Sequence, residues 1–343
     1  MEQTNPQTNR PYKYQPKIEF ETRMNELLKL NGSTPEDIKA YWEIVHKEPV
    51  NSIRCNTLKN SPEELKKKLE IEHKLKISQP FKNHPEIMII ESNLLPGQLG
   101  KNKEHLLGYY YVQEISSMMS ILALKPTEED SLLDLCASPG SKTTQAAMYM
   151  KNKGNILANE PSMGRMVILA SNLERCGISN TIITRKEGTR LCQRLKKIDF
   201  QVNKILVDAP CSGEGTLRSS PKTFVMWNEK LYKSFSNQQK ALASNALELL
   251  QEDGEMIYST CTHAPEENEE IIQYLLDNYD IKIEDRKKDL PIKTREGITN
   301  WKDKIFSQEL KKCVRIYPQD NNTEGFFICK MKKLSNKRKG DEE

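Results

Sequence analysis

From Ser131 onward, apolar segments of strand length alternate with segments of helical periodicity, and this alternation constrains the fold more than any other feature of the sequence. The predicted strands are Ser131 to Leu135, Asn155 to Ala158, Thr181 to Thr184, Lys204 to Val207 and Glu255 to Ser259. The predicted helices are Lys142 to Lys151, Ser162 to Cys176, Gln238 to Gln251 and Pro265 to Asn278. Such alternation is the signature of a mostly parallel sheet with helices packed on it. We therefore expect an α/β fold of Rossmann-like type.

The remaining segments suggest a smaller domain before this sheet and a hairpin after it. Residues 1–17 are polar and predict a flexible leader, and residues 18–107 predict a small α/β domain of helices and a strand-helix-strand unit. Residues 108–331 form the expected catalytic domain, which closes with an antiparallel hairpin, Lys312 to Tyr317 and Gly325 to Lys330, at the sheet edge. The charged segment 332–343 predicts a disordered tail.

Composition narrows the class of protein. The 343 residues are 36% hydrophobic and 29% charged, and mean hydropathy is −0.70. No apolar run reaches the roughly 18 residues of a membrane-spanning helix, and the first residues lack the features of a secretory signal. The eight cysteines include no Cys-x-x-Cys pair, which argues against a zinc ribbon. We expect a cytoplasmic or nuclear protein with no membrane partner and no metal.

Two of the cysteines directly follow predicted strands. Cys211 ends the segment Asp208-Ala209-Pro210-Cys211, and Cys261 ends Ser259-Thr260-Cys261. The carboxyl ends of adjacent parallel strands form one crevice, so side chains distant in sequence meet there. The two thiols therefore predict a site of covalent chemistry, and position alone does not rank one above the other as nucleophile.

A third strand-to-loop segment, Asp134 to Thr143, predicts a ligand site in the same crevice. Its small residues around Gly140 let a ligand approach the backbone, although the segment is neither Gly-x-Gly-x-x-Gly nor a complete phosphate loop. Asp134 is alternatively an ordinary capping residue. Glu160, at the end of the next strand, can accept hydrogen bonds from ribose hydroxyls. Glu187 either contacts an adenine or is a solvated turn carboxylate.

The order of these segments resembles that of the Nop/Sun family of RNA cytosine-C5 methyltransferases. The matching segments are Tyr110 to Met118, Asp134 to Thr143, Asp208 to Thr216, Ser259 to Thr262, Pro265 to Glu269 and Thr323 to Phe327. The resemblance extends from about Ile53 to Lys330. It implies a Rossmann-like fold that binds S-adenosylmethionine and an RNA substrate.

The resemblance also assigns roles to the two thiols. A thiolate that adds to carbon 6 of cytosine activates carbon 5 toward an electrophilic methyl group. By resemblance, Cys261 is the nucleophile and Cys211 is required for product release. Asp208 resembles the acid that binds the cytosine edge, and Lys142 is expected near the base or the cofactor carboxylate.

The same resemblance implies a cofactor site. Its expected residues are Cys136, Ala137, Ser138, Pro139, Gly140, Ser141, Lys142, Glu160, Arg165, Glu187 and Asp208. Glu160 is assigned to the ribose and Glu187 to the adenine region, both at positions where aspartate is common in the family.

RNA binding is expected to involve basic side chains outside the crevice. The net charge is only +4, and clusters such as Lys66 to Lys68 can equally be solvated surface. Expected contacts are Arg54, Asn56, Lys59 and Arg218, and the loop Ser212 to Asn237 either closes over the substrate or is anchored to the core by Trp227. We expect a monomer that acts on tRNA. The alternatives are a ribosomal RNA substrate and a non-catalytic RNA-binding assembly factor, whereas a nicotinamide-dependent dehydrogenase would need the missing glycine motif.

Overall fold

The computed structural model describes residues 14–95 and 97–339 as a mixed α/β molecule with two sheets of more than two strands. The helices are α1 Ile18–Leu30, α2 Pro35–Val45, α3 Pro62–Glu72, α4 Lys103–Leu106, α5 Ile115–Leu124, α6 Ser141–Tyr149, α7 Met163–Cys176, α8 Gly188–Lys196, α9 Thr223–Met226, α10 Lys230–Leu249, α11 Glu269–Asn278 and α12 Pro318–Asn321. The strands are β1 Asn51–Cys55, β2 Ile77–Ser78, β3 Ile87–Ile90, β4 Tyr110–Val112, β5 Ser131–Asp134, β6 Asn155–Asn159, β7 Thr181–Thr184, β8 Val202–Asp208, β9 Leu250–Thr260, β10 Tyr279–Glu284, β11 Arg295–Glu296, β12 Asn300–Trp301, β13 Lys304–Ile305, β14 Val314–Ile316 and β15 Phe326–Arg338. None of the described helices is both long and apolar enough to cross a membrane.

The larger sheet confirms the predicted Rossmann-like fold. It has nine strands in the order β11-β14-β15-β9-β8-β5-β6-β7, with β10 paired to β15. The strands β9, β8, β5, β6 and β7 run parallel to their neighbours within that set, and β15 pairs antiparallel with β9. The parallel order reverses between β5 and β8, where open α/β sheets bind ligands. All five strands predicted for this part of the sheet are present.

The predicted hairpin is confirmed in pairing, but its position and length were wrong. β14 and β15 pair antiparallel, and β15 lies between β14 and β9 rather than at the edge. Residues 332–338, predicted to be disordered, continue β15 and pair with β10. Lys333 explains part of this error, because its buried ammonium donates to the carbonyl oxygens of Leu247 (2.9 Å) and Leu250 (2.6 Å). Residues 340–343 lie outside the described part of the chain.

The smaller sheet has the order β2-β3-β1-β4 and its own apolar core, which includes Leu65, Leu69 and Met88. Its last strand, β4, pairs antiparallel with β1 through Ile53 and Val112. β4 was predicted to begin the catalytic domain at residue 108, yet it pairs with the amino-terminal sheet. The short apolar sequence of β4 did not indicate that this strand pairs with β1.

Helices α1 and α2 pack against the large sheet domain, although they were predicted to belong to the small domain. Phe20 of α1 contacts the rings of Phe224 and Trp227 edge-on, with centroids 6.0 Å and 5.4 Å away. Lys17, in the predicted leader, donates to the Trp227 carbonyl oxygen at 2.6 Å. Residues 1–13 of that predicted leader lie outside the described residues. The first two helices thus pack on the large domain, and the small sheet begins only after them.

Candidate active site

The two thiols meet at the carboxyl ends of the parallel strands, as predicted. Asp208, the last residue of β8, pairs with Ser259 of β9, and the chain continues from each strand into a cysteine loop. The Cys211 and Cys261 sulfur atoms are 3.3 Å apart, within hydrogen-bond distance for sulfur. The hydrogen bond to Cys261, together with burial, raises the pKa of the Cys211 thiol well above its usual range. This shift favours the neutral thiol of Cys211.

An ion pair adjoins the thiols. The Lys142 ammonium group, at the start of α6, donates to Asp208 Oδ2 at 2.7 Å and to Ser117 Oγ at 2.8 Å. The second Asp208 oxygen accepts a hydrogen bond from Ser259 Oγ at 2.8 Å. The Lys142 side chain is 8% exposed and the Asp208 side chain 29% exposed, so the carboxylate is held in place but remains open to a ligand.

A cavity of about 410 Å³, here called the Lys142 cavity, opens beside this ion pair. Its polar lining residues include Asn51, Ser52, Gln113, Glu114, Ser117, Lys142, Asp208, Thr216, Ser219, Cys261 and Glu324. The Phe326 ring also lines it, with its centroid 5.1 Å from Lys142 Nζ. The Lys142 cavity has the mixed polar and aromatic lining that suits a planar polar ligand.

A second cavity of about 230 Å³, here called the Glu160 cavity, is lined by both thiols. Its lining residues include Leu135, Cys136, Ser138, Glu160, Pro161, Arg165, Glu187, Asp208, Cys211, Leu242 and Cys261. Asp208 and Cys261 line both cavities. Ligands in the two cavities would therefore meet at these two side chains.

The loop from residue 136 to residue 142 divides between the cavities, although it was predicted as a single cofactor-binding segment. Cys136 and Ser138 line the Glu160 cavity. Pro139, Ser141 and Lys142 line the Lys142 cavity instead. Two further predicted cofactor residues, Ala137 and Gly140, are buried and line neither. Gly140 adopts φ +103° at the start of α6, a conformation that turns the chain between the two faces.

Two of the carboxylates that were predicted to bind the cofactor, Glu160 and Glu187, differ in how many hydrogen bonds they already accept from the protein. Glu160 is 2% exposed, and its Oε1 accepts from the Ser162 amide at 2.9 Å while Oε2 is 3.5 Å from Arg165 Nε. Glu187 caps α8 and accepts from the amides of Thr189 and Arg190, each at 3.0 Å. Burial alone would raise the pKa of Glu187, but the hydrogen bonds from these two residues lower it. Glu187 lines the cavity, yet its carboxylate is largely committed to the helix.

The residues predicted to contact RNA are mostly structural. Arg54 is buried and donates to Gln113, to the Ser141 carbonyl oxygen at 2.9 Å and to Thr144 Oγ1 at 2.8 Å. These bonds join β1 of the small sheet to α6 of the large domain. Arg54 is thus a connection between the two sheets rather than a surface contact.

The other three predicted contacts also bind the protein itself. Asn56 is buried and donates to the carbonyl oxygens of Gly108 and Cys176, and the exposed Lys59 donates to those of Leu107 and Arg175. Arg218 is 1% exposed and donates to the carbonyl oxygens of Lys47, Glu48 and Thr323. Trp227 is 5% exposed and donates to Glu214 at 2.8 Å, so it anchors its loop to the core.

Sequence reasoning missed a buried carboxyl group behind Cys211. Glu267 Oε2 accepts from the Ser212 amide at 3.0 Å and from Gln239 Nε2 at 2.8 Å, and Gln239 also donates to the Pro210 carbonyl oxygen. Burial raises the pKa of Glu267 to about 7. The segment Pro265 to Glu269 was noted only as part of a family pattern, and nothing local indicated that it holds the Cys211 loop.

One group of three potential metal ligands occurs among the described residues, Glu72, His73 and Glu104 in the small domain. Glu104 already pairs with His73 Nε2 at 2.7 Å and with Lys68 at 3.5 Å. None of the three lines either cavity beside the thiols.

Comparison with known proteins relates the chain to RNA-modifying enzymes. Residues 121–332 match the family described as 16S rRNA methyltransferase RsmB/F, and residues 17–115 match the N-terminal domain of 16S rRNA methyltransferase RsmF. A crystal structure of a methyltransferase homolog protein from Pyrococcus horikoshii has a TM-score of 0.73 at 31% identity and covers 91% of this chain and 99% of that one.

Two relatives differ in the RNA named for them. The tRNA (cytosine(49)-C(5))-methyltransferase of Pyrococcus abyssi is 38% identical over 317 residues, which cover 92% of this chain and 98% of the relative. Ribosomal RNA small subunit methyltransferase F of Vibrio cholerae is 36% identical over 287 residues, which cover 83% of this chain. The chain spans only 58% of the length of that bacterial protein.

Proposed function

The chain belongs to the RsmB/F family of S-adenosylmethionine-dependent RNA (cytosine-C5) methyltransferases, and we propose that it acts on tRNA through a covalent bond between Cys261 and the target cytosine. The single observation that carries the covalent mechanism is the placement of Cys261 and Asp208 in the lining of both cavities. A base in the Lys142 cavity and a methyl donor in the Glu160 cavity would both reach Cys261.

The Glu160 cavity fits S-adenosylmethionine by the chemistry of its lining. Glu160 keeps acceptor capacity at Oε2 for ribose hydroxyls, and Leu135 and Leu242 offer apolar surface to an adenine ring. Cys136 and Ser138 would flank the methionine part. When bound, the cofactor supplies a methyl group on an electrophilic sulfonium.

The chain's own residues perform the other steps. The Cys261 thiolate adds to carbon 6 of cytosine, while Asp208, held by Lys142, binds the base edge and favours protonation of ring nitrogen 3 as electrons move into the ring. Carbon 5 of the resulting enamine would form the new bond to the methyl carbon as the bond from that carbon to the donor sulfur breaks, which leaves the donor as a neutral thioether. Once a base has taken the proton from carbon 5, the bond between carbon 6 and sulfur breaks and the Cys261 thiolate returns.

We assign Cys211 to this last step. Its thiol, whose neutral form is favoured, lies 3.3 Å from the Cys261 sulfur, so it can donate a hydrogen bond to the leaving thiolate. A donor to developing charge is the kind of group whose removal slows a step by about 100-fold or more.

Support for tRNA comes from the extent of the match. The tRNA-modifying relative from Pyrococcus abyssi is matched at 38% identity over 98% of its length. Ribosomal RNA is the second candidate, favoured by the family descriptions that match both parts of the chain.

The proposal is tested by incubating the purified protein with methyl-labelled S-adenosylmethionine and separate tRNA and ribosomal RNA fractions, followed by mapping of the labelled cytosines. We expect label in tRNA, none with Cys261→Ala, and normal label with the control Cys192→Ala, which removes a buried thiol of α8 that lines neither cavity. Label confined to ribosomal RNA would support the second candidate. Absence of label in every RNA would contradict the proposal.

A further inference from the structure

Glu324 is a buried carboxyl group in the Lys142 cavity that the steps above do not use. It is 3% exposed and lies in the segment Thr323 to Phe327, just before β15. Its backbone joins the Cys261 loop through glycines, because Gly325 N donates to the Gly215 carbonyl oxygen at 2.8 Å and Gly215 N donates to that of Cys261 at 2.9 Å. Glu324 is therefore fixed beside the proposed nucleophile.

One oxygen of this carboxyl group has a protein partner and the other has none. Oε1 accepts from the Ser219 amide at 2.8 Å, whereas Oε2 is buried without a hydrogen-bond partner among the described residues. An unsatisfied buried polar atom is costly to stability, and one that lies beside a cavity is a position that a bound ligand can complete. Burial and the neighbouring Glu114 raise the pKa of Glu324 to about 7, although the hydrogen bonds from Ser219 and the charge of Arg218 act in the opposite direction.

The chemistry of the base indicates which part of the nucleotide lies nearest. Around the cytosine ring, the amino edge is followed by carbon 5, carbon 6 and nitrogen 1, which carries the ribose. Asp208 lines both cavities and would bind the amino edge, while Glu324 lines only the Lys142 cavity on the side of the Cys261 loop. With Cys261 on carbon 6, the ribose would leave the ring toward the Cys261 loop, to which Gly325 and Gly215 connect Glu324.

The ribose 2′-hydroxyl is the group that suits Oε2. It is both donor and acceptor, so it can pair with a carboxyl group in either protonation state, whereas base oxygen 2 is only an acceptor. It is also the group by which a protein distinguishes RNA from DNA at a given site.

We propose that Glu324 Oε2 hydrogen-bonds the ribose 2′-hydroxyl of the target nucleotide and makes the enzyme prefer ribocytidine to deoxycytidine at that position. This inference rests on the proposed attack of Cys261 on carbon 6. Glu324 is then a residue that determines sugar specificity in addition to the groups that act on the base.

The test uses two oligonucleotides with the mapped tRNA cytosine in its local hairpin, identical except for ribose or 2′-deoxyribose at the target. We expect kcat/KM of the unchanged protein to favour ribose by about tenfold or more, the usual effect of one hydrogen bond to a charged group. Glu324→Ala should bring this ratio close to one, and Glu324→Gln, which keeps the size and the acceptor for Ser219, should lower it.

Glu128→Gln is the control, because it also removes the charge of one carboxylate, but Glu128 pairs with Lys151 and Lys153 and lines neither cavity. This variant should keep the ratio of the unchanged protein whatever its rate. An unchanged ratio in both Glu324 variants would overturn the inference. A third oligonucleotide carries 2′-deoxyribose only at a neighbouring nucleotide. A loss of kcat/KM with this oligonucleotide, but not with the one that has 2′-deoxyribose at the target, would overturn the inference as well.

Binding separates this inference from the proposed function. The Cys261→Ala protein is expected to perform no transfer, and its Kd values for the two oligonucleotides should still favour ribose. This preference should be lost in the double variant Cys261→Ala/Glu324→Ala. Equal Kd values in the Cys261→Ala protein would overturn the role of Glu324. If the Cys261→Ala protein binds the ribose oligonucleotide more tightly but the unchanged protein methylates neither one, the role of Glu324 would be supported. Only the proposed function would then be contradicted.

Discussion

The Cys211 sulfur lies 3.3 Å from the Cys261 sulfur, although 50 residues separate them in the chain. Each cysteine follows one of two adjacent parallel strands, so the sheet brings together the two loops that carry them. Only Cys261 of the two lines both cavities. This asymmetry supports a nucleophilic role for Cys261 and a role in release for Cys211.

Removal of either member of the Lys142–Asp208 pair should slow methyl transfer. Asp208→Asn and Lys142→Met are each expected to lower kcat by about 100-fold or more, because a preorganised charge at the base edge is lost. The double variant should be little worse than either single one, since the two groups share one contact of 2.7 Å. Lys196→Met, which breaks a partly exposed pair with Glu248, is the control and should leave kcat unchanged. Full additivity of the two active-site changes would argue against a joint role.

Gly215→Ala should displace the Cys261 loop. A methyl group at this position would lie 2.3 Å from the Gly325 carbonyl oxygen and 2.8 Å from that of Cys261, so backbone must move. A shift of about 1 Å at a reacting group costs about 100-fold in rate, which is the loss of kcat we expect. Gly164→Ala in α7 meets no atom within 4 Å and should keep full activity with equal or higher stability. Equal kcat values in the two variants would show that the loop tolerates the group.

Arg54 should contribute to stability and not to RNA affinity. Arg54→Met is expected to lower the free energy of unfolding by about 2–4 kcal/mol, because buried hydrogen bonds from a charged group to α6 are lost. Urea unfolding measures this change, and the exposed Lys67 provides the control variant Lys67→Ala, which should have no effect on stability. The dependence of RNA binding on salt should keep its slope in Arg54→Met. A slope reduced by about one would identify Arg54 as a phosphate contact after all.

Glu267 should make stability fall between about pH 4.5 and pH 7. Burial raises its pKa from 4.5 to about 7, so across this range the folded state keeps a proton that the unfolded state has released. Stability from this group is therefore full below pH 4.5 and lost as pH rises through 7, by up to about 3 kcal/mol.

Glu267→Gln removes that titration. The free energy of unfolding of the unchanged protein minus that of Glu267→Gln should decrease from pH 4.5 to pH 7 and then level off. The exposed Glu64, whose pKa is lowered by hydrogen bonds from Ser61, gives the control Glu64→Gln, for which the difference should be constant from pH 5.5 to pH 8. A constant difference for Glu267→Gln as well would show that this carboxyl group titrates normally.

Features that follow from local sequence patterns could be predicted, whereas contacts between residues far apart in the chain could not. Alternation of strands and helices located the parallel sheet, and strand ends located Asp208, Cys211 and Cys261. Arg54 was misread because its acceptors lie 87 and 90 residues away, on a helix that covers it only in the folded protein. The carbonyl oxygens that bind Lys333 are more than 80 residues away, so a basic segment was mistaken for a disordered one.

Glu187 shows a limit of a different kind. Its capping of α8 is local, because Thr189 and Arg190 follow it directly, but the helix itself was not predicted. Because α8 was not predicted, the sequence did not show that the amides at its start bind the Glu187 carboxylate. Glu324 was seen only as part of a matched pattern, since the orphaned oxygen that makes it informative is a property of the folded cavity.

The division of labour between the two cysteines is tested most directly by trapping the covalent intermediate. Cys211→Ala, incubated with S-adenosylmethionine and tRNA, should yield a protein–RNA complex that survives denaturing electrophoresis, because the bond to carbon 6 forms but breaks slowly. Cys261→Ala and the double variant should yield none. A stable complex with Cys261→Ala and none with Cys211→Ala would contradict the account and reverse the two roles.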